Sequence, residues 1–286
     1  MTYYLEKSVW NQITDIPEGM NLEMINDPTR LTTCIFPTID KIEKNCVILD
    51  MGCGTGLIGM YALEKGAKFV YFLEQDPQIL YILENTLHKI LPDGCYKIIS
   101  KDIEELILDD FTHGSPDYAT SEFYGPTLFD EGYINYTKCL RNLFKDIQFI
   151  PEIFETNVYI ADVDYKQCLW PAEKNAIEQF KFMYNKKGFI SNNTGFFDPK
   201  NPTYAGSIKF DANQQTFSND VRFEFTGEEK IVFCSNVIYS DEYRHVFSFY
   251  GWYLPKHNES VTYSVNVSLN EETIFQPRIL KVDNLS

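Results

Sequence analysis

Cys46-Val47-Ile48-Leu49-Asp50-Met51-Gly52-Cys53-Gly54-Thr55-Gly56 is an apolar run that stops at an acid and passes into alternating glycines. A short apolar run bounded by a turn signal predicts a buried strand over 46–50. The glycines predict a turn whose backbone can approach a ligand closely. Leu57 to Lys65 follows as a helix, with Gly66 as its C-cap. Phe69 to Leu73 predicts a second strand, ending at Glu74. Asp76-Pro77 opens the next helix, with Asp as N-cap and Pro at the first helical position. Its apolar stripe is Ile79, Leu80, Ile82, Leu83 and Leu87. Tyr96 to Ile99 reads as a third strand, Tyr118 to Thr120 as a fourth, and Leu128 to Phe144 as mostly helix. Strands alternating with helices predict an α/β fold with a parallel, Rossmann-like sheet covered on both faces.

The pattern changes at Pro151. Phe154 to Ile160, Val221 to Phe225, Lys230 to Val237, Val246 to Tyr253 and Val261 to Leu269 are rich in β-branched and aromatic residues. They predict an antiparallel β domain. The expected division is therefore 1–150, opening with an N-terminal helical segment, and 151–286. Within the second part, Pro171 to Tyr184 reads as helix, and the Asn-, Gly- and Pro-rich remainder of 165–205 reads as loop.

The chain has 286 residues, 44% of them hydrophobic and 15% aromatic, enough to fill a core. No run has the length and apolarity of a membrane span, and the first residues lack a signal-peptide pattern. Seven cysteines, odd in number and never spaced Cys-x-x-Cys, do not read as a disulfide framework or a zinc site. A cytoplasmic protein without metal or membrane partner is the expectation. The formal charge of −16 argues against nucleic acid. It fits a cationic partner through field focusing, and equally a plain need for solubility.

Gly54-Thr55-Gly56-Leu57-Ile58-Gly59 also satisfies G-x-G-x-x-G, the dinucleotide pattern. Asp50 argues for a different ligand. A carboxylate at the strand end would repel a pyrophosphate but can hold the ammonium of S-adenosylmethionine, directly or through water. Glu74 can accept ribose hydroxyls in either case. Asp102 and Glu104, after the third strand, can meet an adenine amino group. Glu122 and Glu131 lie nine residues apart in Ser121-Glu122-Phe123-Tyr124-Gly125-Pro126-Thr127-Leu128-Phe129-Asp130-Glu131. Two carboxylates so placed form a fork that suits a guanidinium.

These stretches resemble the protein arginine methyltransferases. Val47 to Gly56 looks like the family's first motif, and Met24-Ile25-Asn26-Asp27-Pro28-Thr29-Arg30 like its upstream segment. Lys101-Asp102-Ile103-Glu104-Glu105 is similar to the adenine-side motif. Glu122 to Glu131 is similar to the double-glutamate hairpin, and Phe149-Ile150-Pro151 to the junction into a β-barrel. The resemblance implies a class I methyltransferase domain followed by a barrel-like substrate domain. It implies that Gly52, Gly54, Thr55 and Gly56 carry S-adenosylmethionine, leaving S-adenosylhomocysteine as product. Arg30 would bind the cofactor carboxylate, Glu74 the ribose and Glu104 the adenine. Glu122 and Glu131 would grip the substrate guanidinium, and Met24 would pack beside the reacting nitrogen. Phe123, Tyr124 and Phe275 would wall the substrate pocket. The 165–205 stretch stands where the family carries its dimerisation arm, which implies a homodimer.

The departures are specific. Thr273-Ile274-Phe275 occupies the place of the family's Thr-His-Trp, and Phe123-Tyr124 replaces Trp-Met. The expected activity is N-methylation of an arginine in a peptide or protein, or of free arginine. A small-molecule N- or O-methyltransferase and a non-catalytic partner subunit are the alternatives.

Overall fold

The computed structural model describes residues 36–123, 132–163, 199–218, 220–240, 243–254, 256–267 and 277–281. Five parallel strands form the first sheet: β1 (Val47–Met51), β2 (Phe69–Glu74), β3 (Tyr96–Ser100), β4 (Tyr118–Ser121) and β5 (Gln148–Ile150), in the order β3-β2-β1-β4-β5. Every residue of β1 and β2 is buried. Period-two geometry divides them between two cores. Val47, Leu49, Met51, Phe69, Tyr71 and Leu73 face one core, while Ile48, Val70 and Phe72 face the other. Among the described residues four helices supply the covers: α1 (Phe36–Ile39), α2 (Leu57–Lys65), α3 (Pro77–Ile90) and α4 (Tyr133–Leu143). Ile39, Met60, Ala62, Leu83 and Leu87 close the second core, while Tyr133, Ile134 and Leu140 close the first.

The expected helix signals act as read. The Asp76 carboxylate accepts from the Gln78 and Ile79 amides at 2.7 and 3.3 Å, with Pro77 next in the chain. Gly66 ends α2 in the left-handed region, donating to the Ala62 and Leu63 carbonyls. Of the apolar stripe on α3, Leu80, Leu83 and Leu87 are buried; Ile79 and Ile82 lie at its margin. Of the expected N-terminal helical segment, residues 1–35 lie outside the described residues, and α1 is the first helix described.

Beyond Pro151 the described strands are antiparallel. β6 (Ile153–Val163), β7 (Pro199–Asp211), β8 (Thr216–Ser218), β10 (Lys230–Ser240) and β11 (Tyr243–Leu254) form one sheet, ordered β11-β10-β6-β7-β8. β9 (Asp220–Gly227), β12 (His257–Val267) and β13 (Pro277–Lys281) form another, ordered β13-β12-β9. Of the barrel-like expectation the antiparallel strands are present; among the described residues they form two sheets rather than a closed ring. Gly206, at φ 148°, lets the two sheets approach; a Cβ there would sit 2.8 Å from Val221 Cγ1. The loop expected through 205 is also corrected. β7 starts at Pro199, because its partner β6 supplies pairing that overrides the turn-forming Asn201 and Pro202. Residues 164–198 lie outside the described residues, so the expected helix over 171–184 and most of the expected arm do too.

The two parts share one core. Phe154, Val158, Ile208, Phe210, Val221 and Val265 pack in the same cluster as Tyr133 and Leu140 of α4. Arg141 of α4 latches them together. Its guanidinium donates to the Lys145 carbonyl at 2.8 Å and the Asn213 carbonyl at 3.0 Å, over the Phe149 ring. Asn213 in turn accepts from the Phe149 amide at 2.7 Å. No described helix is long and apolar enough to cross a membrane.

Candidate functional site

The sheet reverses its strand order between β1 and β4. In the β1–β4 register Asp50 lies opposite Thr120, and Met51 opposite Ser121. The glycine turn leaving β1 and Glu122 leaving β4 therefore emerge side by side at the carboxyl edge. That edge, at the reversal, is where open parallel sheets bind ligands.

Gly52, Gly54 and Gly56 have φ of 57°, 53° and 77°. L side chains enter that region only at a cost, so the alternation is a backbone requirement. The turn is pinned by the Cys53 amide on the Leu73 carbonyl at 2.9 Å and the Gly56 amide on the Cys53 carbonyl at 2.7 Å. Gly59 serves packing instead. A Cβ there would sit 2.4 Å from Phe72 Cε1 and 2.8 Å from Val70 Cγ1, so its absence seats α2 on β2.

Asp50 is 1% exposed, and its Oδ2 accepts from the Gly59 amide at 2.8 Å. It ties the first turn of α2 to β1, satisfying an amide that the helix itself cannot. Burial pushes the Asp50 carboxyl up to about 7; the Gly59 amide opposes this, while the charges of Glu122 and Glu74 add to it. Three carboxylates thus converge behind the glycine turn, a field that favours a cation. Glu74 is also nearly buried. Its Oε1 accepts from the Gln75 and Asp76 amides at 2.8 and 2.9 Å, and its Oε2 from Gly54 at 3.1 Å. It therefore fixes the glycine turn against the end of β2.

A cleft of about 150 Å³ opens on this edge, lined among others by Gly52, Glu74, Lys101, Asp102, Phe123 and Tyr136. Four residues expected from sequence are thus brought together: Gly52, Glu74, Asp102 and Phe123. Asp102 caps the 3-10 turn Ile103–Glu105, accepting from the Glu104 amide at 2.8 Å. Glu104 is exposed and does not line the cleft. Thr55 is half-buried within the turn. Met24, Arg30, Tyr124, Glu131 and Phe275 lie outside the described residues.

Tyr136 and Lys101 line the cleft without having been expected there as site residues. Tyr136 reaches it from α4, where it reads only as one aromatic on an amphipathic helix. Lys101 is held by Asp110 at 2.7 Å, a pairing set by how the loop after β3 returns. A larger hollow of about 710 Å³, lined by Cys46, Asp117 and Lys145 among others, lies at the opposite, amino edge. None of the expected site residues reaches it.

Solved structures of arginine methyltransferases are among those that share this fold. A Trypanosoma brucei PRMT1 enzyme–prozyme heterotetrameric complex with AdoHcy superposes with a TM-score of 0.62 at 18% identity, covering 94% of this chain and 95% of that one. A structure of PRMT6 with SAH gives 0.63 at 14% identity, covering 91% and 98%. In fold the chain is similar to these two structures. In sequence, protein arginine N-methyltransferase 1 of Caenorhabditis elegans is 32% identical over 126 residues, 41% of this chain and 34% of the relative. The Dictyostelium discoideum protein of the same name is 28% identical over 156 residues, covering 52% and 44%. The chain thus spans less than half the length of these curated relatives. Ribosomal protein L11 methyltransferase of Legionella pneumophila is 33% identical over 81 residues, 25% of this chain and 27% of the relative. A family model described as conserved hypothetical protein 95 matches residues 26–118.

Proposed function

We propose that the protein is an S-adenosylmethionine-dependent N-methyltransferase acting on the guanidinium of arginine. The observation that carries this reading is the β1–β4 register. It sets the first glutamate of the double-glutamate run directly beside the glycine turn. Two further observations support the cofactor. The turn has the backbone conformation of a close ligand approach, and the carboxylates of Asp50, Glu74 and Glu122 suit a ligand bearing cationic sulfonium and ammonium groups. Glu74 and Asp102, on one cleft, would hold ribose and adenine. Arg30 would hold the cofactor carboxylate, as the resemblance implies.

Bound there, S-adenosylmethionine supplies a methyl group made electrophilic by its sulfonium. The chain's own work is positioning. A guanidinium has a pKa above about 12 and delocalised lone pairs, so it is a poor nucleophile. Glu122 and Glu131 would fix its plane, polarise it and turn one nitrogen toward the methyl group. One of them would take the proton as the C–N bond forms. Met24, Tyr124 and Phe275 would complete the pocket. The substrate is a peptide or protein arginine or free arginine, and the acidic charge of the chain favours either. A homodimer through the 165–205 stretch belongs to the same reading.

The test is transfer of labelled methyl to free arginine, an Arg-Gly-rich peptide and a cell lysate. Glu122→Gln and Glu131→Gln keep shape and remove one charge each. Each should lower transfer roughly 10²-fold or more while leaving cofactor affinity little changed. Near wild-type turnover in both variants would reject the arginine reading in favour of a small-molecule methyltransferase.

A further inference from the structure

Two buried oxygens behind the glycine turn are not used by the hydrogen bonds that hold it. Asp50 Oδ2 accepts from the Gly59 amide, but Oδ1 is sealed from water and no hydrogen bond reaches it. Thr120 stands opposite Asp50 in the β1–β4 register, and its Oγ1 is likewise buried without a partner. The hydroxyl lies close enough to ease the carboxyl charge without forming a full bond. A hydroxyl both donates and accepts, so it can serve either form of the carboxyl. It can accept from the neutral acid and donate to the carboxylate, with no repacking of the strands.

Among the described residues, the groups that face Asp50 are Glu122 from β4, Glu74 from the end of β2, the buried Cys53 thiol in the turn and, from α2, the Gly59 amide. None of these is a cation. Burial and the two glutamate charges push the Asp50 carboxyl up to about 7, so near neutral pH it is poised between its two forms. A positive charge brought to the cleft would tip that balance. Gly52, which lines the cleft, is two residues beyond Asp50, so their Cα atoms are within about 8 Å of each other. Charges act over that range where water is scarce. S-adenosylmethionine and S-adenosylhomocysteine each carry one ammonium and one carboxylate. They differ by the sulfonium, which gives the donor one more positive charge than the product.

We infer that Asp50 is the residue through which the site tells the methyl donor from its spent product. Its carboxyl releases a proton to solvent when the cationic donor binds and keeps it when the neutral thioether does. This rests on the cofactor reading above and deepens it. The sign follows from linkage: a cation favours the carboxylate, so donor binding strengthens as pH rises toward 7 and levels above it. Product binding lacks that dependence. The carboxylates of Glu74 and Glu122 stand in the same field, but only Asp50 is both sealed from water and paired with a hydroxyl across the strands.

The experiment measures the affinities of S-adenosylmethionine and S-adenosylhomocysteine by calorimetry between about pH 6 and about pH 8, on wild type, Asp50→Asn and Thr120→Val. The readout is the ratio of the two affinities. The ligands' own amino groups titrate alike in every protein, so comparing the proteins isolates Asp50. The preference for the donor should rise with pH about tenfold more in wild type than in Asp50→Asn. An equal pH dependence in the two, with both ligands bound, overturns the proposal and leaves the cofactor reading standing. Should Asp50→Asn not fold, as judged by circular dichroism, Thr120→Val decides. Valine has nearly the shape of threonine but no hydroxyl to donate to the carboxylate, so the rise should move to higher pH; an unmoved rise rejects the proposal. Failure of all three proteins to bind either ligand at any pH would reject the cofactor reading itself, and this inference with it.

Discussion

Asp50→Asn tests the buried carboxylate on which the glycine turn is built. The Asp50 carboxyl is pushed from 3.8 to about 7, chiefly by burial. Between those values the folded protein holds a proton that the unfolded chain has released. Stability from this group is therefore full below pH 3.8, declines as pH rises toward 7 and is level above it. The decline is at most about 1.4 kcal/mol per pH unit, on the order of 4 kcal/mol across the window. Asparagine keeps the shape and an oxygen for the Gly59 amide, but it has no proton to lose. The stability of the variant relative to wild type should therefore grow with pH, by on the order of 2–3 kcal/mol between about pH 5 and about pH 8. Urea unfolding followed by circular dichroism at pH steps across that range measures the difference. A difference that is constant with pH would refute the reasoning, because Asp50 would then ionise as an exposed aspartate does.

Gly59→Ala sets two effects of opposite sign against each other. Helix propensity favours alanine by about 1 kcal/mol, but the new methyl meets Phe72 and Val70, both fully buried. Overpacking of about 1–3 kcal/mol should win, and a melting temperature raised rather than lowered would show that β2 yields. For the homodimer, light scattering at micromolar concentration should give twice the mass of the 286-residue chain; the mass of a single chain rejects it.

The local elements were legible in the sequence because their causes are local. The apolar run of β1, the Asp76-Pro77 start of α3 and the Gly66 cap each depend on a few adjacent residues, and each stands where it was read. The spacing of Gly52, Gly54 and Gly56 likewise states what backbone is needed, and all three adopt positive φ. The pairing of strands was not legible. β7 runs through Asn201 and Pro202 because β6 lies beside it, and no window of sequence around residue 199 contains that information. The same is true of the barrel, which a string of β-rich segments suggests but which strand order alone decides. At the site, sequence named Glu74, Asp102 and Phe123 separately, and only the β3-β2-β1-β4 order brings them to one cleft. Asp50 marks the division most clearly. Its identity and position were plain, but its Gly59 partner and its raised pKa come from being sealed between β2 and β4 under α2. Burial is a property of the packed chain, and it ties this carboxylate to the first turn of α2.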